Sequence, residues 1–254
     1  MLTDEQLLRY NRQILINDFD IAGQERLQQA CVLVVGLGGL GCPAALYLAA
    51  AGVGRLLLAD GDEVELSNLQ RQIAHTGQDI GRNKAESAAA AIGALNPEVA
   101  LEVIPYRLDE EAMPELVRRA DVVVDATDNY PVRFALNRVC IAAGVPLVSA
   151  AAVRSEGQVA VFDPQHGGPC YRCLYRDSSD ASALSCSESG VLAPVVGVIG
   201  SLQAMEALKL LSGFGESLRG NLLVLDLCTM DIQRLTLPPR KDCPDCAHLR
   251  GRPA

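Results

Sequence analysis

Eight short runs of β-branched and apolar residues mark the chain, and in its first half they alternate with longer segments that favour helix. The first run, Cys31-Val32-Leu33-Val34-Val35, stops at a cluster of glycines, and an alanine-rich helix is predicted over 43–51, ended by Gly52. Runs at 55–60, 98–104, 121–126 and 145–151 predict four more strands, with helices over 85–95, 109–120 and after Pro131 between them. Strands at 157–163, 222–227 and 231–237 complete the set, and the apolar segment 191–211 predicts a helix covering one sheet face. The strand–helix alternation fits parallel neighbours, whereas the short strand-to-strand spacings later permit antiparallel ones. The expected fold is therefore α/β and Rossmann-like, with one continuous mixed sheet, parallel in its first half and largely antiparallel in its second. No linker interrupts 1–254, so a single domain is expected. Thr3-Asp4-Glu5-Gln6 has the form of a capping box and predicts an N-terminal helix over 3–16.

Composition narrows the partners. Of 254 residues, 49% are hydrophobic and 21% charged, enough for a substantial core, and a net charge of −9 argues against a nucleic-acid surface. Segment 191–211 carries Pro194, Gln203, Glu206 and Lys209, which a membrane span tolerates poorly, so a buried helix or subunit interface is expected there. The chain begins without a basic segment followed by an apolar one, so no export signal is expected. Nine cysteines in such a chain point to reduced thiols, metal ligands or catalysis, and to the cytoplasm.

The glycines Gly36, Gly38, Gly39 and Gly41 between strand and helix carry the first chemical signal. Gly-x-Gly-x-x-Gly at this position permits a tight turn, lets phosphate approach the backbone and aims a helix N-terminus at it. Asp60, about 20 residues on, stands where an acid accepts from a ribose hydroxyl, so an NAD-binding oxidoreductase fits to this point. The segment 60–72 is too polar for a core element and too long for a routine connection, and near its end stands Arg71. Lys84 opens a helix, where the dipole opposes a cation, although a solvated lysine remains an alternative. Asp128 follows the fourth strand, where it either caps the next helix or binds magnesium. An acid for ribose, two cations and a metal carboxylate suit a nucleoside triphosphate under attack better than hydride transfer.

The cysteines divide into three groups. Cys170-Tyr171-Arg172-Cys173 and Cys243-Pro244-Asp245-Cys246 match a closed tetrahedral zinc site, with a redox dithiol as the alternative. Such a site would tether the tail 238–254, which has no apolar period of its own. Cys186 lies in a serine-rich polar stretch and is either a nucleophile or an incidental exposed thiol. Cys31, Cys42, Cys140 and Cys228 fall in predicted strands or helices and are expected in the core.

Together, Arg9-Tyr10-Asn11-Arg12-Gln13, the glycine turn, the stretch from Asp60 to Gln72, Lys84, Asp125-Ala126-Thr127-Asp128-Asn129, both C-x-x-C pairs and Val195 through Glu206 resemble the MoeB/ThiF family. These are sulfur-carrier adenylyltransferases related to ubiquitin-activating enzymes. The resemblance implies adenylation, with ATP and magnesium, of the C-terminal glycine of a ubiquitin-like sulfur carrier. It is greatest to the branch serving the carrier of molybdopterin synthase in molybdenum cofactor biosynthesis; activation of the thiamine-thiazole carrier is the near alternative. The implied roles are Asp60 on the ribose, Arg71 and Lys84 on phosphates, Asp128 on magnesium, and Asn68, Gln72 and Asn129 around the nucleotide. Arg12, otherwise a solvated helix residue, would reach into a neighbouring subunit's site, which implies a homodimer. In the thiamine branch the cysteine matching Cys186 bonds to the activated carrier. The chain ends before any rhodanese-like domain, so a separate sulfur donor protein is expected.

Overall fold

The computed structural model describes residues 1–176 and 189–249. Its centre is a strand buried on both faces, β1 (Cys31–Val35), in which Val32, Leu33 and Val34 are fully enclosed. Parallel partners flank it: β2 (Arg55–Ala59) and β3 (Ala100–Ile104) on one side, β4 (Val122–Asp125) and β5 (Leu147–Val153) on the other. Beyond β5 the direction reverses, and β6 (Glu156–Phe162), β7 (Asn221–Asp226) and β8 (Asp231–Thr236) are antiparallel. The order β3-β2-β1-β4-β5-β6-β7-β8 makes one eight-stranded sheet, as the hydrophobic pattern predicts.

Both faces are covered, which is why the central parallel strands β1 and β2 read as nearly unbroken apolar runs. Val32 and Val34 face a cluster shared with α4 (Gly41–Ala50) and α5 (Lys84–Leu95), whereas Leu33 and Val35 face α6 (Met113–Arg118) and α7 (Tyr130–Ala143). A short helix, α8 (Tyr171–Leu174), precedes the long apolar α9 (Ala193–Ser212), which packs on β4, β5 and β6 and on α4. Segment 191–211 is thus a helix lying along the sheet. Its Gln203, fully buried, donates from Nε2 to the carbonyl oxygens of Asp125 (2.8 Å) and Val148.

Register decides where the site lies. Val35 aligns with Ala59 and with Asp125, and Ala59 with Ile104, so the carboxyl ends of β1 to β4 are level. The chain runs outward from β1 to β2 and β3, then returns to β4 on the other side of β1. The crevice above β1 and β4 is therefore the switch point at which open α/β sheets bind ligands.

Three expectations need correction. The capping box at Thr3 forms, but the helix stops at Tyr10, leaving α1 (Asp4–Arg9) and α2 (Asn11–Ile14) in place of one helix over 3–16. Tyr10 is buried, and its hydroxyl accepts from Asn96 Nδ2 at 2.9 Å and lies 3.3 Å from Glu98, so a tertiary anchor breaks a favourable helix. The residues before β1 form α3 (Asp20–Gln29), whose apolar period is masked because its buried residues are Gly23, Leu27 and a polar one, Gln24, donating to Ala51 O at 2.9 Å. Cys228 lies exposed in the turn from β7 to β8, not in the core; Cys42 and Cys140 are buried and Cys31 half-buried. The helix expected from 109 begins at Met113, because Asp109 Oδ1 accepts from the N–H groups of Glu111 and Ala112 and holds a local turn instead.

Candidate functional site

The glycine turn is as tight as its spacing predicts. Gly36 has φ +89°, a left-handed value natural to glycine, and a Cβ on Gly41 would sit 1.8 Å from the Gly36 oxygen. Leu37, at the head of the turn, is held from both sides. Its N–H donates to Asp60 Oδ2 at 2.6 Å, and its carbonyl accepts from Cys42 Sγ at 3.2 Å and from His75 Nε2 at 3.0 Å. Burial pushes the His75 pKa down, favouring the neutral ring; Nε2 then carries the proton and Nδ1 accepts from Ser87 Oγ at 2.8 Å. The turn faces the crevice, with the side chains of Gln72 and Val196 close over Gly38 and Gly39, and the start of α4 aims its dipole there.

Asp60 also accepts from Asp62 N through Oδ1 at 2.9 Å, so the carboxylate is fixed in orientation while each oxygen keeps a second lone pair. The polar segment after it folds back on itself: Val64 N donates to Arg82 O, and Gly81 N to Val64 O. Asn83 closes this loop by donating to Asp60 O at 2.9 Å while its Oδ1 caps α5 through Ala85 N at 2.8 Å. The loop sets Asn68, Arg71 and Gln72 beside the turn. Arg71 donates to Ser67 O at 3.0 Å, and Asn68 Oδ1 accepts from Glu65 N. Gln72 is buried, and its Oε1 has no hydrogen-bond partner among the described residues, as expected of a group that completes its bonding with a ligand.

Lys84 opens α5 and is itself buried, with Nζ 3.1 Å from Asp62 Oδ2. Arg107 donates to the other oxygen of that carboxylate at 2.9 Å. Burial opposes charge on Asp62, but the hydrogen bonds from Arg107 and Lys84 outweigh it and hold the carboxyl below its ordinary range.

Asp128 is exposed at the end of β4, and Asn129, not Asp128, caps α7 by accepting from Val132 N at 3.1 Å. The backbone presenting Asp128 is clamped from below. Fully buried Asp125 accepts from Thr127 N and Oγ1 and from Ser149 Oγ at 2.7 Å; Arg133 donates to the carbonyls of Thr127 and Ala150.

These residues meet in one cleft of about 1570 Å³, beyond the roughly 300–1,000 Å³ of a pocket for a drug-sized ligand. Gly36, Gly38, Gly39, Asp60, Asn68, Arg71, Gln72, Lys84, Asp128 and Asn129 all line it, with Gly41 packed beneath the turn. The cleft continues over β5 and β6, where Ala151, Ala152 and Gly157 give a floor of small residues, and Tyr130 and Tyr175, whose rings meet edge to face at 5.9 Å, line it too. Arg12 lies exposed on α2, outside this lining, and Cys186 lies outside the described residues. The sequence reading missed Asp62, His75, Asn83, Arg107 and Arg133; of these only Asn83, a capping type before a helix, carried a local signal.

Away from the cleft, Cys170, Cys173, Cys243 and Cys246 converge, all buried, with their sulfurs within 4.8 Å of one another. The pairs Cys170–Cys243 and Cys173–Cys246 are each 3.5 Å apart and Cys170–Cys173 3.9 Å. Tetrahedral geometry at a Zn–S bond of about 2.3 Å places sulfurs about 3.8 Å apart, so the donor set and spacing fit zinc. Burial pushes the Cys246 thiol up to about 12, and a cation would be needed to make such a group a thiolate. Asn137 braces the cluster, accepting from Tyr171 N at 2.8 Å and donating to Asp245 at 2.9 Å.

The model of the ThiF family matches residues 10–245. The molybdopterin-synthase adenylyltransferase of Escherichia coli K12 is 50% identical over 245 residues, 96% of this chain and 98% of the relative. The sulfur carrier protein ThiS adenylyltransferase of the same strain is 46% identical over 252 residues, 99% of this chain and 100% of the relative. Among solved structures, E. coli MccB with MccA-N7isoASN has a TM-score of 0.82 at 23% identity, covering 96% of this chain and 75% of that one; it shares the fold.

Proposed function

Because the chain belongs to the ThiF family, we propose that its cleft activates the C-terminal carboxylate of a ubiquitin-like sulfur carrier with ATP, for molybdenum cofactor biosynthesis. The protein is an adenylyltransferase acting on a sulfur-carrier protein. The observation that carries this reading is the convergence of the glycine turn, Asp60, Arg71, Lys84 and Asp128 in a cleft whose far end has room for a peptide tail.

The residues divide the work. Asp60 accepts from the ribose, the N–H groups of the turn and the cations Arg71 and Lys84 hold the phosphates, and the small-residue floor aligns the tail. A carboxylate oxygen of the terminal glycine attacks the α-phosphorus, the bond to the β-phosphate oxygen breaks and pyrophosphate leaves. The nucleophile is already ionised, so alignment and neutralisation of developing charge supply the catalysis, with no protein base required. Asp128 would hold magnesium, which when bound adds further neutralisation of the phosphates. The four cysteines would hold a structural zinc, tethering the tail, and a separate protein supplies sulfur to the acyl-adenylate.

The test is exchange of labelled pyrophosphate into ATP. It is expected only with a carrier present, and faster with a molybdopterin-synthase carrier than with a ThiS-type one. Binding of NAD without ATP, or no exchange with either carrier, contradicts the proposal; preference for the ThiS-type carrier moves the chain to the other branch.

A homodimer completes the site. Leu8, Leu15 and Ile16 leave large apolar surface exposed on and beside α1 and α2, around Arg12, and such a patch suits a subunit interface. Arg12 then reaches the partner's nucleotide. Mixing two inactive variants, Arg12→Ala and Arg71→Ala, and allowing subunits to exchange is expected to restore about a quarter of the activity, since half the dimers hold one intact site. No recovery after verified exchange would place Arg12 outside the partner's site.

A further inference from the structure

Lys84 poses a problem that the adenylation reading leaves open. A lysine that is 8% exposed needs a counter-ion for its ammonium before any nucleotide arrives, and Asp62 supplies it at 3.1 Å. That same contact competes with the phosphates for which Lys84 is needed. The Asp62 backbone cannot simply withdraw: its N–H donates to Asp60 Oδ1, and its carbonyl accepts from Lys84 N at 2.9 Å and from Asn83 Nδ2. The carboxylate is thus fixed beside the lysine.

Arg107 stands on the other side of that carboxylate, donating from Nη2 to Oδ1 while Lys84 holds Oδ2. It rises from the carboxyl end of β3, lines the cleft, and its side chain is 84% exposed. A pair so exposed adds little to stability. Its consequence is electrostatic: by sharing the charge of Asp62, Arg107 weakens the grip of that carboxylate on Lys84.

Resting on the adenylation reading, we propose that Asp62 and Arg107 form a counter-ion exchange that loads Lys84 onto the triphosphate. In the empty cleft Asp62 is shared between two cations. When phosphate arrives, the Lys84 ammonium passes from carboxylate to phosphate, and Arg107 keeps the carboxylate satisfied. Asp62 and Arg107 are positioning residues acting through Lys84; neither touches the nucleotide.

The experiment is a double-mutant cycle on ATP affinity, measured by calorimetry on the intact protein at about 0.3 M salt, where exposed charges are well screened. Arg107→Ala is expected to weaken ATP binding about fivefold, the scale of a strengthened competing ion pair. In the Asp62→Asn background the same change is expected to cost less than about twofold, because the competitor is gone. Arg107→Lys should retain most of the affinity, and in steady state Arg107→Ala should raise KM for ATP while leaving kcat nearly unchanged. An equal cost in both backgrounds overturns the proposal, since Arg107 would then act on the nucleotide directly. So does no cost in either. Thermal melting checks that each variant folds, and Asp62→Ser serves the same comparison if Asp62→Asn does not. No ATP binding by the unaltered protein removes the adenylation reading as well, which separates the two failures.

Discussion

Replacing Asp128 by alanine is expected to lower carrier-dependent exchange of pyrophosphate into ATP by about a hundredfold to a thousandfold, the cost of removing one preorganised charge-stabilising group. Arg71→Ala should fall in the same range. Both effects should appear mainly in kcat, because the charge they neutralise grows as the bond to pyrophosphate breaks. Neither change should disturb the fold. Asn129 caps α7, and the backbone around Asp128 is held by Asp125, Ser149 and Arg133, so Asp128→Ala removes no structural bond seen here. Arg71 loses one bond, to Ser67 O. Unfolding free energies should stay within about 0.5 kcal/mol of the parent, as for surface changes generally. Exchange that persists at near-parental rates in both variants would remove the catalytic reading of the cleft.

Stripping metal from the four-cysteine cluster is expected to be the largest single loss of stability. The segment from Arg240 to Leu249 is held by little else: Arg240 to Arg172 O, Asn137 and Arg172 to Asp245, and the contact of Leu249 with the cluster. Four buried thiols without a cation would press against one another with no charge to bind them. A loss of about 3–5 kcal/mol, or roughly 10 °C in Tm for a chain of this size, is expected on chelation or in Cys243→Ser. Metal analysis should give one zinc per chain before chelation. A preparation without zinc whose Tm is unmoved by chelator would return the cluster to a set of packed thiols.

The sheet was legible because seven of its eight strands carry their own signal, a run of Val, Leu, Ile or Ala. The β1 run is apolar throughout because both faces are covered, and β8, exposed along its length at the sheet edge, carries the weakest signal, with only Ile232 and Leu235 apolar. Elements defined by buried polar groups were not legible. Gln24 in α3 and Tyr10 at the break between α1 and α2 look like surface residues until Ala51 O and Asn96 are seen to satisfy them. The site divides in the same way. Asp60, Lys84 and Asp128 stand at the ends of strands or the start of a helix, positions where a polar residue in an apolar pattern has to be explained, and Arg71 stands near the end of a polar segment too long for a routine connection. Asp62, Arg107, His75 and Arg133 acquire their roles from partners distant in sequence, 45 positions apart for Arg107 and Asp62 and 38 for His75 and Leu37. No local pattern encodes such pairs, and Cys228 misled because a turn residue followed a strand pattern directly.

The proposed activity requires a carrier carboxylate to displace pyrophosphate at the α-phosphorus of ATP. The direct measurement uses a carrier whose terminal glycine carries oxygen-18 in its carboxylate, incubated with the protein, magnesium and ATP until a thiol consumes the activated product. Oxygen-18 recovered in AMP is the expected result, since the attacking oxygen stays on the α-phosphorus when sulfur takes the acyl group. Oxygen-18 in inorganic phosphate, with ADP in place of AMP, would show attack at the γ-phosphorus and contradict it.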